Sequence, residues 1–272
     1  ENLQSMLCFG LTERFQDSLH ILSYVFGWRP LPNALRLNEA PEKLSADSLP
    51  ASSLDRLAGY NRLDLRLYNF ACALFDERFA NMTEDLLTRY GDAAHARLPR
   101  PLPEPVLASL LDRHYRARLL ARTLPPAPAS ARFTFHQTLR GAFGWQRLEI
   151  SPTHGPFRWT GPGNEASLDL TPLDGGDIQL RIGVCDSMSP ELLDELKITV
   201  NEEALPVQRL PGERGETIFQ TTVPRSVVEK EPFLRVGLMI QKTLAPQTLD
   251  PKNTDSRQLG VAVNWIEQTG VT

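Results

Sequence analysis

Between Leu124 and Ala131 the chain reads LPPAPASA, a Pro/Ala/Ser stretch with the composition of a semi-rigid linker. Its weight lies in what changes across it. On the N-terminal side apolar residues recur every three or four positions, as on one face of an α-helix. On the C-terminal side they alternate or run in short blocks, as in β-strands. The pattern predicts an α+β protein of two domains: a helical region over 7–123, a linker over 124–131 and an antiparallel β-sandwich over 132–272.

Working back from the linker, Val106–Arg122 reads as a helix with Leu107, Leu110, Leu111 and Leu119 inward. Arg113, His114, Arg116, Arg118 and Arg122 fall largely outside that face. A long helix begins near Asn61 with Leu63, Leu67, Phe70 and Leu74 on one face, after a short helix from Ser52 or Ser53. Further back, Phe15, Leu19, Leu22 and Phe26 form one stripe of a helix that Thr12 caps, with Glu13 in its first turn. Trp28-Arg29-Pro30 ends that helix, because the residue before proline avoids the helical region. Arg29 to Ala51, with four prolines and no strong period, reads as a long loop. Glu1–Met6 (ENLQSM) reads as the remnant of a protease-cleavable tag and is set apart from the fold.

Working forward, eight strand-like runs follow: Arg147–Ile150, Phe157–Thr160, Ala166–Leu170, Asp177–Val184, Leu196–Val200, Thr217–Val223, Phe233–Ile240 and Gly260–Ile266. Turn clusters such as Gly161-Pro162-Gly163-Asn164 and Asp174-Gly175-Gly176-Asp177 separate them, which is sandwich spacing. Ser189–Glu195 reads as one helical turn.

Composition narrows the function classes. At 41% hydrophobic and 23% charged residues the chain is of the ordinary globular kind. A net charge of −4 gives no support to nucleic-acid binding as a bulk property, and no apolar run approaches a membrane span. Cys8, Cys72 and Cys185 are odd in number and unclustered, which argues against a disulfide framework and against zinc and suits a reducing, cytoplasmic setting. No metal is expected: Asp250, Asp255 and the Asp174/Asp177 pair lack the spacing of a calcium loop.

Two blocks carry a resemblance. LCFGLTERFQDSLHILSYVFGW (Leu7–Trp28) reads as a short buried strand entering a helix at Thr12-Glu13. NRLDLRLYNFACALFDERF (Asn61–Phe79) holds Asn61, Asp64, Tyr68, Ala71 and Phe75 in an Asn-x-x-Asp-x-x-x-Tyr-x-x-Ala-x-x-x-Phe pattern. Together they resemble the C-terminal half of the catalytic domain of carbohydrate sulfotransferases, the group that includes heparan sulfate 2-O-sulfotransferase and its bacterial relatives. The resemblance implies an α/β, P-loop-like parent domain that moves a sulfuryl group from PAPS (3′-phosphoadenosine 5′-phosphosulfate) to a hydroxyl of a carbohydrate acceptor. It also implies that the PAPS loop and the catalytic base lie in the N-terminal half, which the sequence does not contain. Neither a GxxxxGKS/T run nor a Lys-x-Gly/Ser-Thr loop after an apolar strand occurs, so the chain alone is not expected to hold PAPS.

The region beyond the linker is similar to β-sandwich modules attached to bacterial glycan-modifying enzymes. That similarity rests on Gly144-Trp145…Glu149, on Phe157–Gly161, on Val200-Asn201, and on Asp255–Val261. Glu202 stands where that turn would carry Gly.

Among single residues, Glu13 either orients an acceptor hydroxyl or pairs with a basic side chain; its ordinary role is to complement a helix dipole. Arg29 and Arg36 in the long loop are candidates for binding an anionic glycan, as are the arginines of the 106–122 helix, although a polar helix face commonly carries arginine. Trp159 is the candidate for stacking on a sugar, with Trp145, Trp265 and Phe157 beside it; sandwich strands usually bury such rings. Asp255 and Arg257 read as a local ion pair, and none of the five histidines has a partner at dyad spacing. The rival to a sulfotransferase is a non-enzymatic carbohydrate-binding or assembly module, in which the helical region scaffolds the sandwich or forms a homodimer interface.

Overall fold

The computed structural model describes residues 2–31, 50–120, 130–173 and 176–271. It is a mixed α+β structure that divides into two units, Glu1–Arg118 and Leu119–Thr272.

The first unit is helical. After a single turn, α1 (Asn2–Ser5), come α2 (Phe15–Phe26), α3 (Ala51–Tyr60), α4 (Arg62–Tyr90) and α5 (Glu104–Leu120). The strand expected before Thr12 is not formed. Residues 8–11 are irregular and Leu7 is 72% exposed, because no neighbouring strand offers a ladder among the described residues of this unit. The Leu11 amide instead donates to the Ser18 hydroxyl at 2.9 Å. Thr12 is no cap either. It opens a 3-10 turn, Thr12–Arg14, that leads into α2 without a side-chain cap.

Two stripes also differ from expectation. Helix α2 buries Ser18, His20, Ile21 and Ser23, while Phe15 and Phe26 face solvent. Helix α4 buries Ala71, Phe75, Met82 and Leu86, while Leu63 and Leu67 are 68% and 59% exposed. Ser18 is tolerated there because it is bonded: its Oγ donates toward the carbonyls of Leu11 and Arg14, at 3.1 and 2.9 Å. Helix α2 stops at Gly27, whose left-handed φ of 63° lets its own N–H and that of Trp28 return to the Ser23 carbonyl. On α5, Leu107, Leu110 and Leu111 are buried as read. His114 is a correction: it is buried with Tyr115.

The second unit holds two antiparallel sheets around one apolar core. The strands are β1 (Ser130–Thr134), β2 (Glu149–Ser151), β3 (Gly155–Trp159), β4 (Glu165–Leu170), β5 (Ile178–Ser187), β6 (Lys197–Val200), β7 (Glu203–Ala204), β8 (Gln208–Pro211), β9 (Thr217–Val223), β10 (Leu234–Met239) and β11 (Val261–Gly270). Single helical turns α6 (Pro190–Asp194), α7 (Arg225–Val228) and α8 (Pro246–Leu249) interrupt them. Of the stretch read as linker, Ser130 and Ala131 belong to β1, paired with Thr269 and Gln268; 124–129 lie outside the described residues.

The larger sheet runs β2-β3-β11-β5-β9-β8, and β1 also pairs with β11. Since β5 follows β11 along its length, β1 and β3 share the opposite edge. The smaller sheet runs β4-β10-β6-β7. Alternation fills the core: Leu180, Ile182 and Val184 of β5 meet Leu234, Val236 and Leu238 of β10 in one cluster. On β4 and β10, directly paired Asp169 and Arg235 make a buried two-pronged ion pair at 2.8 and 3.0 Å.

Candidate functional site

In the helical unit, the fold brings the two resemblance blocks together at Glu13. The 3-10 turn sets its carboxylate at the surface, within electrostatic reach of the Tyr68 phenol of α4. Arg14, next in the chain, pins this turn to α4. Its guanidinium bonds Asp17 at 2.9 Å, contacts Asp76, and lies 4.7 Å from the centre of the Phe75 ring. A hydrogen bond to Cys72, desolvation and the Glu13 carboxylate together push the Tyr68 phenol up to about 12. At neutral pH the phenol therefore keeps its proton and acts as a donor, while Glu13 acts as an acceptor.

The other expected residues do not gather there. Arg29 is half-buried just beyond α2, and Arg36 lies outside the described residues. Trp159 is a correction. It is 7% exposed and packs with Leu259, Ala262 and Phe157, so its ring faces offer no platform to a sugar.

The α5 arginines do structural duty. Arg113 donates to the Tyr90 carbonyl at 2.7 Å and Arg118 to the Val25 carbonyl at 3.1 Å, capping the ends of α4 and α2. Arg116 pairs with Asp112 at 2.6 Å, and Arg122 is outside the described residues. His20 gains a carboxylate partner that spacing could not reveal, Glu104 at 3.0 Å, but it is buried to 1% exposure and out of a substrate's reach. Asp255 and Arg257 do pair, at 2.6 Å, and Arg257 also reaches Glu149 on β2 at 2.7 Å. Among the described residues no three His, Cys, Asp or Glu side chains converge to hold a metal, and no described helix is long and apolar enough to cross a membrane.

A built concavity lies on the outer face of the larger sheet. There the register lays two cross-strand rows side by side: Arg132–Glu267–Arg181 and Thr134–Trp265–Gly183–Ile218. A β-bulge in β11 lies between Val263, paired with Val184, and Trp265, paired with Gly183. Asn264 is the extra residue, so it and Trp265 both line the same cleft although they are adjacent in sequence. The indole lies against Gly183. A Cβ there would meet Trp265 at 2.4 Å and Asn264 Oδ1 at 2.7 Å, so only glycine admits this arrangement. His154 and Gly155 close one side, Glu213 and Glu216 another, around about 460 Å³. Trp265 is buried as read, at 5% exposure, but under Arg132 and Arg181 on the outer face; the bulge that turns it there leaves no mark in a hydrophobic pattern.

Compared with known proteins, the chain matches no family model, and no curated protein matches it.

Proposed function

We propose that this chain is the C-terminal part of a PAPS-dependent carbohydrate sulfotransferase. The supporting observation is the seating of the Thr12–Arg14 turn on α4, where Arg14 contacts Asp76 and the Phe75 ring and so joins the two blocks on which the resemblance rests. Sulfuryl transfer needs an oriented acceptor hydroxyl more than covalent help from the protein. Glu13 is exposed and can accept a hydrogen bond from such a hydroxyl; Tyr68, its proton held toward Cys72, can accept one from a neighbouring sugar hydroxyl. The described residues do not fit the donor: no strand, glycine-rich loop and helix among them builds a backbone cradle for a phosphosulfate. In this reading the donor is held by other sequence of the parent enzyme. The test is titration of 3′-phosphoadenosine 5′-phosphate into the parent protein. Binding should raise its stability by about 2.7 kcal/mol at a hundredfold excess over Kd, and failure to bind refutes the reading.

A second reading is favoured by the cleft of the larger sheet: the sheet unit binds carbohydrate, whether or not the parent is an enzyme. A concavity of about 460 Å³ lined by an indole edge, guanidinium groups and an amide suits a sugar's mixture of apolar C–H and polar hydroxyl surface. Binding of any oligosaccharide at this face, followed by amide chemical shifts on β1, β5 and β11, tests it; shifts confined to other strands reject it.

A further inference from the structure

We propose that the cleft on the larger sheet takes a sugar carrying a single carboxylate or sulfate; this rests on the sheet unit binding carbohydrate and names its ligand. The first support is a set of buried polar atoms with no partner in the protein. They are Arg181 Nε, Asn264 Oδ1 and His154 Nδ1, all on residues lining the cleft. Leaving a buried donor or acceptor unmet is costly, so such atoms are kept where something else meets them. These atoms are themselves covered and mark the floor of the cleft as polar; the donor a ligand reaches first is the half-exposed guanidinium of Arg132.

The second support is charge. Arg132 and Arg181 share one carboxylate, Glu267, at 3.9 and 3.2 Å, so two guanidinium groups face one anion and positive charge is left over. Arg132 lies 4.1 Å from the centre of the Trp265 ring, and half of its side-chain surface is exposed. Placed over the ring with half its surface exposed, this guanidinium can offer its N–H groups for two-pronged contact with a carboxylate or sulfate.

The same geometry excludes other ligands. Arg132 covers the indole face, so a nucleobase has no ring to stack on there. Glu216, its Oε2 accepting from the Arg214 amide at 2.9 Å, stands with Glu213 toward the β9 side, across β11 and β5 from Arg132. Arg214 lines the cleft beside them, so this end holds two carboxylates against one guanidinium, offers acceptors and donors to hydroxyls, and has no surplus positive charge for a second anion. The site therefore reads one anionic group at the β1 side and hydroxyls toward β9.

The experiment is calorimetric titration of the full chain with three probes: an aldobiouronic acid with one carboxylate, a monosulfated disaccharide and neutral maltotriose. The expected result is binding of the carboxylated or the sulfated probe at least tenfold tighter than maltotriose, with the two arms telling which anion is read. Arg132→Gln and Arg181→Gln should each weaken that binding tenfold or more; Arg132 is exposed enough that its variant keeps the parent's thermal melt. Equal affinity for maltotriose overturns the proposal but spares carbohydrate binding. No binding of any probe overturns both, and anionic binding untouched by either substitution places the site elsewhere and overturns the proposal.

Discussion

At the scale of single residues, backbone geometry makes the sharpest demands. Asn201 and Glu202 form the two-residue turn between β6 and β7 with φ of 48° and 71°, the left-handed pair that such hairpins favour. Asparagine suits its place: its side chain donates to the Val227 carbonyl at 2.9 Å and accepts from the Arg235 amide at 2.8 Å. Glutamate does not, since a left-handed residue with a Cβ is strained by about 1–2 kcal/mol. Glu202→Gly should therefore raise stability by about 0.5–1 kcal/mol once glycine's extra unfolded-state entropy is subtracted. A higher urea midpoint at unchanged slope would show it. Gly183→Ala should do the reverse, costing about 1–3 kcal/mol as the indole is driven off the sheet. Its signature is lost stability together with altered tryptophan fluorescence.

His114 gives a pH dependence with a defined sign. Its ring stacks on Tyr24 at 5.0 Å between centroids; Nε2 donates to the Tyr24 carbonyl at 3.0 Å, and Nδ1 faces the Tyr90 hydroxyl at 3.3 Å. Burial lowers its proton affinity below the ordinary histidine value, outweighing the Tyr24 carbonyl. The unfolded chain thus binds a proton that the folded chain refuses. Stability is full above the ordinary pKa of about 6.5 and falls as pH drops from there toward the folded value. His114→Gln should flatten this part of the stability profile. An unchanged slope below pH 6.5 would assign the dependence to other groups.

At the scale of elements, the strands were legible because each turns one apolar face to the core and so leaves a period of two in sequence: β4, β5, β6, β9 and β10 fall within a few residues of the apolar runs. Helix positions were legible as well, α5 and the long α4 above all. Which face α2 and α4 bury was not. Counting apolar residues favoured Phe15 and Leu63, whereas the fold buries Ser18, bonded to nearby carbonyls, and His20, paired with Glu104, and starts the α4 stripe only at Ala71. The short β1 and β7 and the edge strand β8 carry too few alternating residues to declare themselves. Separate cores predict separate effects. Phe75→Ala should cost the helical unit about 3–5 kcal/mol, and Leu234→Ala the sheet unit about 2–5 kcal/mol. Calorimetric scans of the two variants should move different parts of the transition; a common shift would mean the units unfold as one.

At the scale of the whole molecule, the helical unit carries the resemblance residues and the sheet unit carries the concavity. Glu13 stood out in the sequence as a candidate because a motif marks it, and the structure sets it at the surface. Arg132, Arg181 and Asn264 did not, since cross-strand register and a bulge gather them from three separate strands. Trp159 misled because an aromatic in a strand looks the same buried or exposed. The central claim is sulfuryl transfer to a carbohydrate. Its most direct test is radiolabelled sulfate transfer from PAPS to a panel of oligosaccharides by the parent protein and its Glu13→Gln variant. The account predicts labelled glycan from the parent and at least tenfold less from the variant; label with neither protein, on any glycan, would contradict it.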